Sequence, residues 1–148
     1  MEVLLNPAPA IQFPNEVYGM FTHLVVNESE AVILSGCKDE DLERVEGLEN
    51  VAKRFRKLGV KNVIISLGEK GVFYSGPGGE GVERALKVKV VDTTAAGDTF
   101  VGAYALEAVK VDFDIKGAIK NATKAAAKTV ERQGAQYSIP WSNELRLK

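Results

Sequence analysis

Apolar positions fall into short unbroken runs and into longer stretches where they recur every three or four residues. Val3-Leu4-Leu5 and His23-Leu24-Val25-Val26 are runs of the first kind and predict buried strands. Asn6-Pro7-Ala8-Pro9 closes the first run, because proline cannot donate to a strand ladder. Val63-Ile64-Ile65-Ser66 is a β-branched third run broken by Gly68, and Gly71 to Ser75 reads as its hairpin partner. Gly76 to Gly81 reads as a turn, and Leu86-Lys87-Val88-Lys89-Val90 alternates like a strand with one solvated face.

The helical stretches have their own punctuation. Asn27-Glu28-Ser29-Glu30 resembles a helix start, Ala31 to Leu34 continue it and Gly36 ends it. Leu48, Val51, Ala52, Phe55 and Leu58 fall at helical spacing, with Gly59 as the stop. Gly97 to about Lys110 predicts a helix that buries Phe100 and Ala103. Ile115 to Glu131 predicts another, with Ile115, Ala118, Ile119, Ala122, Ala126, Thr129 and Val130 on one stripe. The tail from Gly134 to Lys148 reads as loop, with Trp141 anchoring it on the core.

Early strands alternate with helices, so the expected fold is α/β, a mostly parallel sheet flanked by helices. Ligands of such sheets bind beyond the C-terminal ends of the strands. Asn27 to Glu30, Ser66-Leu67-Gly68 and Asp92 to Asp98 all follow predicted strands and are expected to serve one site.

The bulk properties narrow the function. The chain has 148 residues, 45% of them hydrophobic and 26% charged, with a net charge of -1. That length is ordinary for one domain over 1–148 and allows burial of roughly 70% of the unfolded surface. Interspersed charges argue against a basic face for nucleic acid or a polybasic membrane surface. Lys116, Lys120, Lys124 and Lys128 form a helical stripe that reads as a solvated face. Cys37 is the only cysteine, so no internal disulfide exists. The N-terminus lacks a basic region followed by a long apolar run, so no signal peptide is expected. His23 is the only histidine, which excludes a multi-histidine metal site and favours packing.

The segment Val91-Asp92-Thr93-Thr94-Ala95-Ala96-Gly97-Asp98-Thr99-Phe100 carries the chemistry. Small residues at 95–97 let backbone N–H groups open together at a helix start, where orphan donors and the helix dipole attract an anion. A transferring phosphoryl group is such an anion. Asp98, in the first turn, can take the proton from an attacking hydroxyl. The same aspartate is also favourable there purely as a partner of the helix dipole, and both readings stand at this point. No G-x-x-x-x-G-K-S/T and no G-x-G-x-x-G after a strand is present, which excludes a P-loop and a Rossmann site.

Asp92 to Phe100 resembles the C-terminal signature of the ribokinase-like (PfkB) carbohydrate kinases, D-T-T/N-G-A-G-D-x-F, with Ala95 in place of the first glycine, a variant found in the ribokinase branch. Leu5-Asn6-Pro7-Ala8-Pro9-Ala10 looks like the mid-chain N-P-A-P stretch of that family. Asn27-Glu28-Ser29-Glu30 is similar to its N-x-x-E motif, Ser66-Leu67-Gly68-Glu69-Lys70-Gly71 to its T-L-G-x-x-G nucleotide turn, and Gly134-Ala135-Gln136-Tyr137-Ser138 to its G-A-Q-x-S segment.

The resemblance implies a ribokinase-like three-layer α/β/α fold, of which this chain is the C-terminal, nucleotide-binding and catalytic portion. The glycine-rich sugar motif, most sugar contacts and the β lid that makes the usual homodimer are expected to be absent. It implies Asp98 as the base and the amides of Ala95, Ala96 and Gly97 as the anion hole. ATP is expected at Asn27, Ser66, Leu67, Gly68, Gly71, Gly97 and Thr123, and Mg²⁺ near Glu30 through water. K⁺ is expected among oxygens of Asp92, Thr94, Thr129, Arg132, Gly134 and Ser138. Arg132 could contribute only its carbonyl, since its side chain has no acceptor. The implied reaction is ATP-dependent phosphorylation of a sugar hydroxyl, D-ribose to D-ribose 5-phosphate, in a cytoplasmic protein with the nucleus as a second compartment. The alternatives are a non-catalytic ATP- or ADP-binding module, or a related fructokinase, adenosine kinase or keto-sugar-acid kinase.

Overall fold

A computed structural model describes residues 1–145. The predicted tail extends into 146–148, which lie outside the described residues. The chain divides into two compact units, Met1–Glu83 and Arg84–Lys148.

The first unit holds strands β1 (Leu4–Leu5), β2 (His23–Asn27), β3 (Asn62–Ser66), β4 (Val72–Gly76) and β5 (Gly79–Glu83), with helices α1 (Glu28–Ser35) and α2 (Val45–Lys57). The strands form one sheet in chain order. β1 runs parallel to β2, and β2 parallel to β3, with His23 opposite Asn62 and Asn27 opposite Ser66. Parallel neighbours need a long crossover; here it carries α1 and α2, which pack on β2 and β3 and on each other. Four consecutive residues of β2 and four of β3 are buried, as expected of a strand covered on both faces.

β3–β4 and β4–β5 are antiparallel, so the sheet is mixed. The links 67–71 and 77–78 are too short for a crossover and permit only hairpins. The second hairpin extends the segment expected to be only a turn: Pro77-Gly78 make the turn, and 79–83 return as β5.

The core of this unit gathers around Leu24, Val26, Phe55, Val63, Ile65 and Phe73. Tyr18 joins it with its ring tilted against that of Phe55, centroids 5.4 Å apart, and meeting Phe13 and Phe21 edge-on. Gly59 has φ 109°, and a Cβ there would lie 2.6 Å from the Cα of Gly19. The predicted helix stop is therefore also a close backbone contact.

The second unit is built on α3 (Ala96–Ala108) and α4 (Ile115–Val130), which pack on each other. Tyr104 is stacked on Phe100 and edge-on to Phe113. Asp114 caps α4 by accepting from the Gly117 N–H at 2.8 Å. The predicted stripe of α4 is buried at Ile115, Ala118, Ile119, Ala122 and Thr129. Among the described residues no helix is long and apolar enough to cross a membrane.

Two expectations fail. Residues 84–90 form no strand, although Leu86 to Val90 alternate, because alternation specifies a face and not a ladder partner. Trp141 does not anchor the tail on the core: it is 79% exposed. The short helix α5 (Ser142–Leu145) is held instead by polar bonds from Glu144.

Phe55 is fully buried, so Phe55→Ala should lower unfolding free energy by about 3–5 kcal/mol in urea melts. His23 is buried beside Glu2, at 3.4 Å. Burial holds its imidazole below the ordinary 6.5, against the opposing pull of Glu2. The unfolded chain therefore binds a proton that the fold resists, and stability should fall as pH drops from about 8 to about 5. His23→Gln should flatten that slope in urea melts across the same range.

Candidate functional site

The predicted residues fall on both units. In the first, Asn27 ends β2 and caps α1. Its side-chain oxygen accepts from the Glu30 N–H at 2.8 Å, and Glu30 Oε2 accepts from the Asn27 N–H at 2.9 Å. This reciprocal pair is a capping box. It leaves the Asn27 amide NH₂ and the second Glu30 oxygen for other partners. A single carboxylate oxygen beside solvent suits a magnesium ion that keeps most of its water.

Ser66 ends β3 and donates to the Val26 carbonyl at 3.4 Å. The following turn closes on itself. The Leu67 N–H donates to the Gly71 carbonyl at 2.9 Å, Lys70 N–H to Leu67 at 3.1 Å, and Gly71 N–H to Gly68 at 3.2 Å. Gly68 and Gly71 have φ 57° and 112°, a region that glycine enters without strain. The turn presents Gly68, Glu69 and Lys70 to solvent while Leu67 and Gly71 are buried. Surface depressions of this unit, about 400 Å³ and 370 Å³, lie along α2 and its approach and include none of the predicted residues.

In the second unit Asp92 is the organising residue. Its Oδ1 accepts from both the N–H and the hydroxyl of Thr94, and its Oδ2 from the Gly134 N–H at 3.0 Å. These bonds, the Thr94 hydroxyl first, hold its pKa below the ordinary carboxylate value. The N–H groups of Val91 and Asp92 donate to the Val130 carbonyl at 2.7 and 3.1 Å, fastening the strand-like approach to the end of α4.

The chain then turns through Thr94 and Ala95 into α3. The first N–H groups of the helix have no intrahelical acceptor. The Ala96 N–H donates to the Thr93 carbonyl at 3.2 Å, so of the three expected anion-hole amides it is engaged in the turn. Gly97 and Asp98 are exposed, in the first turn. No hydrogen-bond partner for the Asp98 carboxylate is found among the described residues.

Thr129 is buried, and its hydroxyl meets the Thr99 hydroxyl at 3.0 Å and the Ala125 carbonyl at 3.2 Å. Its carbonyl accepts from the N–H groups of Glu131 and Arg132. Ser138 is buried and donates to the Ala135 carbonyl at 2.7 Å. The Asp92 carboxylate is thus bonded directly to both Thr94 and Gly134. Thr129, Arg132 and Ser138 lie in the same helix end and loop without a direct bond to Asp92. All are hard oxygen donors, which fit an alkali cation and not a thiolate- or imidazole-seeking metal. Among the described residues no three His, Cys, Asp or Glu side chains cluster to hold a metal ion.

Thr123 lies within α4, buried, and its hydroxyl has no hydrogen-bond partner among the described residues. Thr99 and Glu144 were not anticipated. Glu144 accepts from both ends of the Arg132 guanidinium at 3.2 and 2.8 Å and from the Trp141 N–H at 2.7 Å. These bonds lower its pKa to about 2. Residues 132 and 144 come together only when the tail folds back, so no local spacing signals the contact.

The capping box and any phosphate role of Asn27 are separable. Asn27→Ala should cost about 1 kcal/mol of stability in urea melts. Asn27→Asp should keep the cap, yet weaken ATP·Mg²⁺ binding by calorimetry through charge repulsion.

Residues 1–142 match the pfkB family of carbohydrate kinases. A ribokinase of Schizosaccharomyces pombe is 42% identical over 142 residues, covering 95% of this chain and 44% of the relative. A ribokinase crystal structure from Thermotoga maritima superposes with a TM-score of 0.81 at 38% identity, covering 97% of this chain and 47% of that one. An Arabidopsis thaliana ribokinase complexed with ribose and ATP superposes with a TM-score of 0.81 at 31% identity, covering 91% and 43%. The chain spans about half the length of the curated relatives it matches. With the family matched across nearly the whole sequence and the mixed sheet and helices superposing on its solved members, the chain belongs to the pfkB family of carbohydrate kinases.

Proposed function

We propose that this chain carries the nucleotide-binding and catalytic-base portion of an ATP-dependent sugar kinase, with D-ribose as the acceptor. The observation that carries the reading is the exposed Asp98 carboxylate in the first turn of α3, directly after a turn of small residues. Support comes from the ribokinase relatives and from the neighbour complexed with ribose and ATP.

In this reading the Ser66–Gly71 turn, Asn27 and Thr123 contact ATP. Thr123 does so through its methyl or after a rotamer change, since its hydroxyl is fully buried. Asp98 accepts the proton of the sugar's primary hydroxyl. That oxygen forms a bond to the γ-phosphorus as the bond from phosphorus to the β–γ bridging oxygen breaks, and ADP leaves with the bridging oxygen. The amides of Ala95 and Gly97 hold the transferred phosphoryl oxygens, and Ala96 joins them if its turn bond to Thr93 opens. Glu30 would hold a bound magnesium ion through water, and that ion would supply charge neutralisation to the phosphates. Potassium among the oxygens of Asp92, Thr94, Thr129, Arg132, Gly134 and Ser138 would order the approach to α3.

A second reading is a nucleotide-binding module; the chain spans 44% of the fission-yeast relative. Under it the chain binds ATP or ADP and does not turn over sugar. Calorimetric titration with ATP·Mg²⁺, with and without K⁺, followed by a ribose phosphorylation assay, separates the two. Binding with turnover supports the kinase, and binding alone supports the module. A folded sample that binds no ATP refutes both. Where turnover occurs, Asp98→Asn should leave ATP affinity largely unchanged and lower kcat by at least ~10². Retained turnover would remove Asp98 from the mechanism.

A further inference from the structure

The last turn of helix α4 and the residues just beyond it carry two cations, Lys128 and Arg132, and both are taken by the same residue. The Lys128 ammonium donates to the Glu144 backbone carbonyl, and the Arg132 guanidinium binds the Glu144 carboxylate through both NH1 and NH2. Glu144 Oε2 also receives the Trp141 N–H. Residues 133–143 therefore form a loop whose two ends are fastened together by one side chain. A planar guanidinium on a carboxylate fixes orientation as well as distance, which a lysine pair does not.

The closed loop contains the contact that matters for the approach to α3. Two residues beyond Arg132, the Gly134 N–H donates to Asp92 Oδ2 at 3.0 Å, across 42 residues of sequence. Asp92 Oδ1 then holds both donors of Thr94, the residue that opens the turn before Ala95 and α3. Inside the loop Ser138 is completely buried and closes back on the Ala135 carbonyl. A continuous bonded path thus runs from Glu144 through Arg132 and Gly134 to Asp92 and Thr94. Its remote end is a clasp, with side chains 39% and 33% exposed. Such a pair contributes little to global stability, so its value lies in fixing a geometry.

We propose that Glu144 is a positioning residue: by clamping Arg132 and the Trp141 N–H it holds the 133–143 loop closed and so sets the Gly134–Asp92–Thr94 bonds ahead of α3. Under the cation reading given above, on which this part rests, the same clasp sets the spacing of the oxygens offered to K⁺.

The test needs no turnover. In amide hydrogen exchange of the chain followed by NMR, Glu144→Gln should speed exchange at Gly134 and Thr94 by about three- to tenfold. Amides in the α3–α4 core, such as Tyr104 and Ala122, should keep their protection. Glu144→Asp, which retains both acceptors, should restore most of the loss, whereas Arg132→Lys, which lacks the fork, should not. Unchanged exchange at Gly134 in Glu144→Gln would overturn the proposal. So would a uniform acceleration across residues 84–145, which would make Glu144 a general stabiliser. Trp141 is the only tryptophan and is 79% exposed, so its fluorescence reports on the clasp during K⁺ titration at constant ionic strength with ATP·Mg²⁺ present. The midpoint should rise about tenfold in Glu144→Gln. A wild-type chain with no K⁺ response, but with the expected exchange pattern, would refute the cation reading and leave the positioning role standing.

Discussion

The carboxylate of Asp92 is the constraint on which the candidate catalytic segment depends. An ionised carboxylate only accepts hydrogen bonds, and its four lone-pair sites can serve donors from separate segments. Here they serve Thr94 on one side and Gly134 on the other. The loop after α4 and the turn before α3 are thereby made into one polar unit. The same bonds favour the charged form, so the tie persists through the neutral range. Asp98 inherits its position from this arrangement, because α3 can begin only where the Thr94–Ala95 turn lets it.

A second theme is that residues expected to meet a ligand are first occupied in making local structure. Asn27 and Glu30 close a capping box on α1. Leu67, Gly68 and Gly71 close the β3–β4 turn on itself. Thr129 spends its hydroxyl on Thr99 and Ala125. These duties are compatible with binding, because each side chain or turn keeps unused donors or acceptors. A ligand that used them would require less reorganisation of the chain, since caps and turns are already ordered. Ala96 is the exception: its amide is committed to Thr93 and would have to exchange one acceptor for another.

The sheet shows the same economy at a coarser scale. β2 and β3 run in parallel and end in register at Asn27 and Ser66. Two polar groups therefore emerge side by side at the C-terminal edge, where open α/β sheets place their ligands. The hairpins that follow make the rest of the sheet antiparallel, since links of a few residues cannot return the chain to the same end.

Local pattern was enough to determine the strands at 23–26 and 63–66, helices at 48–58, 97 to about 110 and 115 to about 131, the glycine stops at 36 and 59, and the motif residues from Asp92 to Asp98. Each rests on interactions within a few residues, such as side-chain periodicity, capping and backbone freedom, and these are written into adjacent positions. Tertiary structure alone decided the rest. Leu86 to Val90 carry a strand's alternation but form no strand, since a ladder requires a partner that no local pattern supplies. Trp141 lies in solvent because polar bonds from Glu144 to Arg132 and Trp141 hold the tail in place of apolar burial. The Gly134–Asp92 and Arg132–Glu144 contacts join residues 42 and 12 apart. No periodicity encodes such pairs; they exist only once α4 has formed and the chain has folded back on its end.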